Sequence, residues 1–240
     1  MSILQANGLR KRYGDREVVR GVSVTLNQGE VCGLLGPNGA GKTTTFYMLT
    51  GIQKPTAGEV HLDNKTIADW PLHERARVGV SYLPQESSVF RRLSVMDNLR
   101  VILEHTGLSR KAQKEKANSL LEEFRISHLV NSMAAHLSGG ERRRLEIARA
   151  LIREPKFVLL DEPFAGIDPL AVDDIQSLII GLKDKGIGIL ISDHNVRETL
   201  RICDRAYLMH EGQVIIEGTP EAIVADPKAR RVYLGEAFSL

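Results

Sequence analysis

Two cysteines, one tryptophan and 5% aromatic residues in 240 positions set the first limits on what this chain can be. Cys32 lies in an apolar run and Cys203 in a stretch with helical periodicity, far away in sequence. Such a pair reads as core thiols in a reducing compartment and argues against a disulfide framework. No apolar run approaches the roughly 18–20 residues needed to span a bilayer. The start, Met1-Ser2-Ile3-Leu4-Gln5, shows no charged-then-apolar signal region. The expectation is a cytoplasmic protein whose membrane association, if any, comes through a partner. Net charge is small as well: 32 basic against 30 acidic residues leave +2. That gives no electrostatic case for a nucleic-acid partner. The Arg142-Arg143-Arg144 cluster reads as a solvated helix face or a local anion contact. What remains is ordinary globular composition, 42% hydrophobic and 26% charged. The length suits one large domain, or one domain with an inserted lobe.

The most informative stretch is Gly36-Pro37-Asn38-Gly39-Ala40-Gly41-Lys42-Thr43-Thr44. It follows the apolar run Val31–Leu35 and leads into a helix-like segment from Thr45. Strand, glycine-rich loop and helix start carry the G-x-x-x-x-G-K-[ST] spacing of a phosphate-binding P-loop. Glycines let backbone N–H groups curl around a phosphate, and the helix start adds partial positive charge. Lys42 can reach the β- and γ-phosphates, and the Thr43 hydroxyl can ligate Mg²⁺.

Around this loop the pattern alternates. Residues Ile3–Leu9 and Val18–Leu26 read as strands about a turn at Gly14-Asp15, with Tyr13 exposed beside that turn. Gly58–Leu62 and Val78–Leu83 read as further strands. From Ser94 to about Ile152 the period is helical, with Ser94 and Ser109 as N-caps. Phe157–Leu160 and Ile189–Ser192 are continuous apolar runs, as expected of buried parallel strands. Between them, Ala171–Asp184 is helical. Ala206–Glu217 reads as a hairpin about Glu211-Gly212, followed by a helical Pro220–Ala225. Strands alternating with helices around a P-loop argue for a parallel-sheet α/β core. The expected division is a core with an antiparallel β part over 1–87 and 153–220. A helical lobe occupies about 88–152, and a short extension runs over 221–240.

Two acids end the strand at 157–160. Asp161 sits where open α/β sheets place ligand groups, at the carboxyl end of a strand, and can hold a hydrated Mg²⁺. Glu162 beside it can orient or deprotonate a water. Adjacent acids after an apolar strand are costly to desolvate without a cation. Leu137-Ser138-Gly139-Gly140-Glu141 fits an S-x-x-E capping box and equally exposes backbone amides to an anion. The two readings are compatible.

Together, the P-loop, Gln85, residues 137–141, Asp161-Glu162, Asp168 and His194 occur in an order that resembles an ABC-transporter ATPase. The match runs from about residue 3 to 220. The resemblance implies a P-loop NTPase of ABC type: a mostly parallel core sheet, an antiparallel β subdomain and an inserted helical subdomain. It also implies ATP and Mg²⁺ as cofactors. Tyr13 would stack on adenine, Gln85 would link Mg²⁺ and the water to a membrane subunit, and Glu162 would be the catalytic base. His194 would contact the γ-phosphate as a switch. Ser138 and Gly140, with Gly139 between them, would bind the γ-phosphate of ATP held by a second copy in a head-to-tail dimer. Ala165-Gly166-Ile167-Asp168 departs from the family's usual Ser-x-Leu-Asp while keeping Asp168 for dimer contacts.

Within the family, Phe46-Tyr47-Met48, Phe90–Val95, Gly139–Arg144, Phe164–Pro169, Asp193–Thr199 and the ending Arg231–Phe238 are similar to the ATPases of Gram-negative lipopolysaccharide exporters. That would place the chain on the cytoplasmic face of the inner membrane with two transmembrane permease subunits, lipopolysaccharide being an indirect cargo. The ATPases of branched-chain amino-acid importers share the Ala-Gly loop and a related tail. Non-transport ABC ATPases usually carry two cassettes or a long coiled-coil insertion, and neither occurs here. Ser87–Arg92, with Phe90 and Arg91 foremost, follows Gln85 directly and is the expected groove for a helix of each membrane subunit.

Overall fold

The computed structural model describes residues 1–239, with backbone alone at positions 169 and 170. Strands β1 (Ile3–Tyr13) and β2 (Arg16–Asn27) form a hairpin about the expected turn, where Gly14 takes a positive φ of 56°. β3 (Val31–Leu35) is buried at all five positions and feeds the glycine-rich loop and helix α1 (Lys42–Thr50). β4 (Ala57–Leu62) and β5 (Lys65–Thr66) pair antiparallel, and β4 adds to β1. The resulting four-stranded sheet has the order β2-β1-β4-β5.

Next come α2 (Leu72–Arg77) and β6 (Val80–Leu83). α2 is not expected from the sequence pattern, and the strand expected over Val78–Leu83 starts two residues later because Val78-Gly79 is a turn. Helices α3 (Val95–Leu103), α4 (Arg110–Glu123) and α5 (Gly139–Leu151) then precede β7 (Phe157–Asp161). Both expected caps form: the Ser94 hydroxyl accepts from Asp97 N–H, and the Ser109 hydroxyl from Ala112 N–H. The single helical period read over 94–152 is thus broken, with residues 124–138 forming turns and two short 3₁₀ segments.

The chain continues through α6 (Pro169–Asp184), β8 (Gly188–Ser192), α7 (Val196–Leu200), and the hairpin β9 (Arg205–His210) and β10 (Gln213–Gly218). Cys203 lies after α7 and not within a helix, because α7 ends at Leu200. Both cysteines are free and buried. α8 (Pro220–Ala225) is capped by the Thr219 hydroxyl, and residues 227–234 continue helically.

The larger sheet has the order β10-β9-β3-β8-β7-β6, parallel from β9 to β6 with β10 antiparallel at one edge. Alternate residues of its buried strands feed two cores. Val158, Leu160 and Ile191 pack with Leu99, Leu121 and Leu145 of α3–α5 and with Ile175 of α6. Phe157, Leu159 and Leu34 pack on the opposite face with Phe46 of α1 and Val24 and Leu62 of the antiparallel sheet. Side-chain alternation across a strand produces this three-layer arrangement.

Candidate functional site

Four neighbouring parallel strands, β3, β8, β7 and β6, end along one edge of the sheet, and each delivers one segment there. They supply residues 36–44, Asp193-His194, Asp161-Glu162 and Pro84-Gln85 respectively. Strand register sets their depth: Leu83 lies beside Leu160, and Asp161 beside Ser192. Open parallel sheets present their ligand crevice at this end.

The 36–44 loop is curled by its backbone. Gly36 has φ 147°, and a Cβ there would lie 2.2 Å from the Met209 carbonyl oxygen of β9, so no side chain fits. Gly41, with φ 99°, precedes α1 and makes no side-chain cap. Pro37 is half-buried, Asn38 and Gly39 are exposed, and Ala40 is buried. Lys42 Nζ donates to the Gly36 and Pro37 carbonyls at 2.6 and 3.1 Å, closing the loop around its own ammonium. Burial pulls the Lys42 pKa down, although the nearby Glu162 and Asp161 charges oppose that. Thr43 is exposed and Thr44 half-buried in the first turn of α1, which carries no acidic residue. The amino end of the helix therefore presents uncompensated positive character to an anion.

Asp161 is buried, and Tyr82 Oη donates to its Oδ2 at 3.3 Å. Burial lifts this carboxyl to about 6, with the Glu162 charge adding to the effect. Glu162 adopts φ 46°, a left-handed conformation that costs a residue with a Cβ. One oxygen of Glu162 serves two partners: Gln85 Nε2 donates to Oε2 at 2.7 Å, and His194 Nδ1 lies 3.3 Å from it. Gln85, Glu162 and His194 are thus gathered from three strand ends.

Ser138 caps α5, and Gly139 and Gly140 form its first turn. The Ser138 amide and hydroxyl both donate to the Glu141 carboxylate at 2.8 Å, completing the capping box of α5. A Cβ on Gly139 would stand 3.0 Å from the Gly166 carbonyl oxygen, and one on Gly140 3.4 Å from Ala171. These residues therefore border the 165–168 loop, where Asp168 is exposed just ahead of α6. Tyr13, 44% exposed, donates its hydroxyl to Gln53 at 2.5 Å. A Cβ on Gly41 would stand 3.0 Å from the Val18 carbonyl oxygen and 3.3 Å from Val19 of the same hairpin. Phe90 is 46% exposed with the Arg149 guanidinium 5.0 Å from its ring centre, and Arg91 is exposed next to it.

Of the two readings of the arginine cluster at 142–144, the structure shows the local anion contact: Arg143 meets Glu146 and Arg144 meets Asp174. Arg143 is only 5% exposed, because it points inward from α5. Its Nη1 donates to Glu146 at 3.0 Å and to the Pro84 carbonyl at 3.2 Å, and its Nη2 to the Asp161 carbonyl at 3.4 Å. Glu146 in turn accepts from Ser87 Oγ and Ser88 N–H. Sequence reasoning also missed Asp193, which is fully buried and accepts from Phe164 N–H at 3.0 Å and Asn195 N–H at 2.8 Å. Burial raises its pKa. Burial raises the Tyr233 pKa, and the nearby Gly36 backbone opposes that shift.

The ABC transporter family profile matches residues 19–165. This chain belongs to the ABC transporter ATPases. Such cassettes bind ATP and hydrolyse it in coupling to transport. The cassette is 57% identical to the Lipopolysaccharide export system ATP-binding protein LptB of Escherichia coli (strain K12), over 100% of both chains. It is 58% identical to a Probable ABC transporter ATP-binding protein of Azorhizobium caulinodans, over 99% of this chain and 84% of that one. Among solved structures, an ATP-binding cassette of an ABC transporter in its ADP conformation superposes with a TM-score of 0.88 at 33% identity. That superposition covers 98% of this chain and 100% of the other. A second profile, for branched-chain amino acid ATP-binding cassette transporters, matches residues 213–239.

Proposed function

We propose that this cassette powers lipopolysaccharide export from the inner membrane of a Gram-negative cell. The observation that carries this reading is agreement with the named E. coli protein over the full length of both chains. A relative of the same name from Haemophilus influenzae is 54% identical over 100% of both chains. In this reading the cassette sits on the cytoplasmic face and drives two transmembrane subunits. Phe90 and Arg91 receive a helix of each.

The site residues then take the following roles. Residues 36–44 hold the phosphates of ATP, Tyr13 faces the adenine, and Thr43 and Asp161 hold Mg²⁺. The fit to a cation rests on Asp161: a buried carboxyl beside a second acid gains from a positive charge. Mg²⁺ there supplies charge neutralisation of the phosphates. Glu162 accepts a proton from the attacking water, Gln85 links Mg²⁺ and that water to a membrane subunit while its Nε2 donates to Glu162 Oε2, and His194 approaches the γ-phosphate. Ser138, Gly139 and Gly140 reach the γ-phosphate on a second copy, with Asp168 at the contact between copies. Their exposure supports that role: Ser138 and Gly139 lie open on the surface at a helix start. The helical lobe at about 88–152 then acts as the arm that carries them.

The tail match at residues 213–239 favours a second reading, the ATPase of a branched-chain amino-acid importer. Purification from membranes separates the two. Lipopolysaccharide-stimulated ATP hydrolysis by the complex supports export. Stimulation only by a substrate-loaded amino-acid-binding protein overturns it.

A further inference from the structure

Arg75, on α2, is the largest fully buried side chain among the described residues, at 0% exposure. Its guanidinium faces main-chain oxygens on every side. Nη1 donates to Met48 O at 2.7 Å and Leu49 O at 2.6 Å, Nε to Trp70 O at 2.9 Å, and Nη2 to Ala68 O at 2.9 Å. Met48 and Leu49 belong to the last turn of α1, whose carbonyls have no partner within the helix. α1 has no basic residue of its own in that turn. The carboxylate that acts on its charge, Asp69, is exposed and paired with Lys54. A whole positive charge is therefore buried against carbonyl dipoles, an arrangement that is costly unless the geometry is well satisfied. Burial lowers the Arg75 pKa to about 10, which leaves the group charged at neutral pH. Room for it is built in: Gly51 has φ 81°, and a Cβ there would stand 2.4 Å from Trp70 O and 2.7 Å from Arg75 Nε.

We propose that Arg75 is a positioning residue of the nucleotide site, acting through α1. Its head fixes the carboxyl end of the helix whose amino end holds the phosphates. It also neutralises the negative end of the helix dipole, so the amino end attracts an anion more strongly. The charge stands about one helix length, ~14 Å, from that end. The intervening helix is buried at Phe46, Met48 and Leu49, which limits screening along it, while its amino end at Thr43 is exposed. The α2 segment thereby tunes nucleotide affinity without touching nucleotide.

This inference rests on residues 36–44 as the phosphate site, and ADP binding by the wild type that is lost in Lys42→Ala checks that site separately. The test titrates Arg75→Met and Arg75→Lys with a fluorescent ADP and measures ATP turnover in the assembled transporter. Arg75→Met is expected to weaken ADP binding about tenfold, and Arg75→Lys, which keeps the charge but not the fork, about threefold. At saturating ATP, kcat should stay within about twofold, the signature of lost uniform binding. Wild-type ADP affinity in both variants overturns the proposal, as does a kcat loss with unchanged KM. If Arg75→Met does not fold, Arg75→Lys decides alone. A threefold loss supports the role, and wild-type affinity ends it.

Discussion

Replacing Glu146 by alanine should destabilise the cassette and detach the segment after Gln85 from its support. Glu146 and Arg143 are 4% and 5% exposed, so removing the carboxylate leaves a guanidinium buried without its counter-charge. Arg143 Nε already lacks a hydrogen-bond partner among the described residues, so no spare acceptor compensates. The Ser87 hydroxyl and Ser88 N–H lose their acceptor at the same stroke. Breaking a buried pair from one side costs about 3–5 kcal/mol. For a domain of this size each kcal/mol moves Tm by about 2–4 °C, so the drop should be roughly 6–20 °C. Thermal unfolding of Glu146→Ala, Arg143→Met and the double variant Arg143→Met/Glu146→Met measures it. The double variant should recover the part of the loss that comes from the unpaired buried charge, while Ser87 and Ser88 remain without their acceptor. ADP binding by residues 36–44 should persist in all three variants, while co-purification with membrane subunits weakens. A single-variant loss under about 1 kcal/mol, or a double variant as damaged as the sum of its parts, would refute the reasoning.

Other outcomes follow from the same geometry. Glu162→Gln keeps a side chain that can still accept from Gln85 but cannot take a proton. Turnover should fall by ~10²–10⁴-fold with ATP binding intact, and near-normal phosphate release would remove Glu162 as the base. The Asp161 carboxyl, lifted to about 6, must be ionised to hold Mg²⁺, so protons compete with the metal below that pH. Mg²⁺-dependent ATP affinity should hold above pH 6 and fall by up to about tenfold per unit beneath it. Asp161→Asn should bind weakly without that slope, and a flat wild-type profile from pH 5 to 7 would contradict the assignment. Charge reversal at the exposed Arg91 should abolish co-purification with the transmembrane subunits while ADP binding is kept, and unchanged co-purification counts against the groove.

Much of the fold was legible because its signals are local. The turn at Gly14-Asp15, the caps at Ser94 and Ser109 and the capping box at Ser138 each depend on residues within a few positions. The fully apolar runs of β7 and β8 announced strands buried on both faces. Arg142–Arg144 stays open between a solvated face and a local anion contact in the sequence, because charge composition records a residue's type and not the direction it faces. Only the rotation of α5 turns Arg143 inward while Arg144 meets Asp174 near the surface. α2 was missed because its six residues are too few to establish a helical period.

The sequence by itself determined the chemistry available: a loop that can wrap phosphates, a lysine, two acids, a glutamine and a histidine, in an order that marks the family. Tertiary structure decided which of these meet. Gln85 and Glu162 are 77 positions apart, yet they share a hydrogen bond because β6 and β7 lie side by side. Arg75 reaches Met48 and Leu49 across 27 and 26 positions by folding beneath α1. Asp193 ties the loop after Glu162 to the loop bearing His194 through the parallel register of β7 and β8. A local pattern fixes backbone conformation through neighbours in the chain. Contacts between distant segments depend on strand order and on which face of each element is buried, and no short window of residues carries that information.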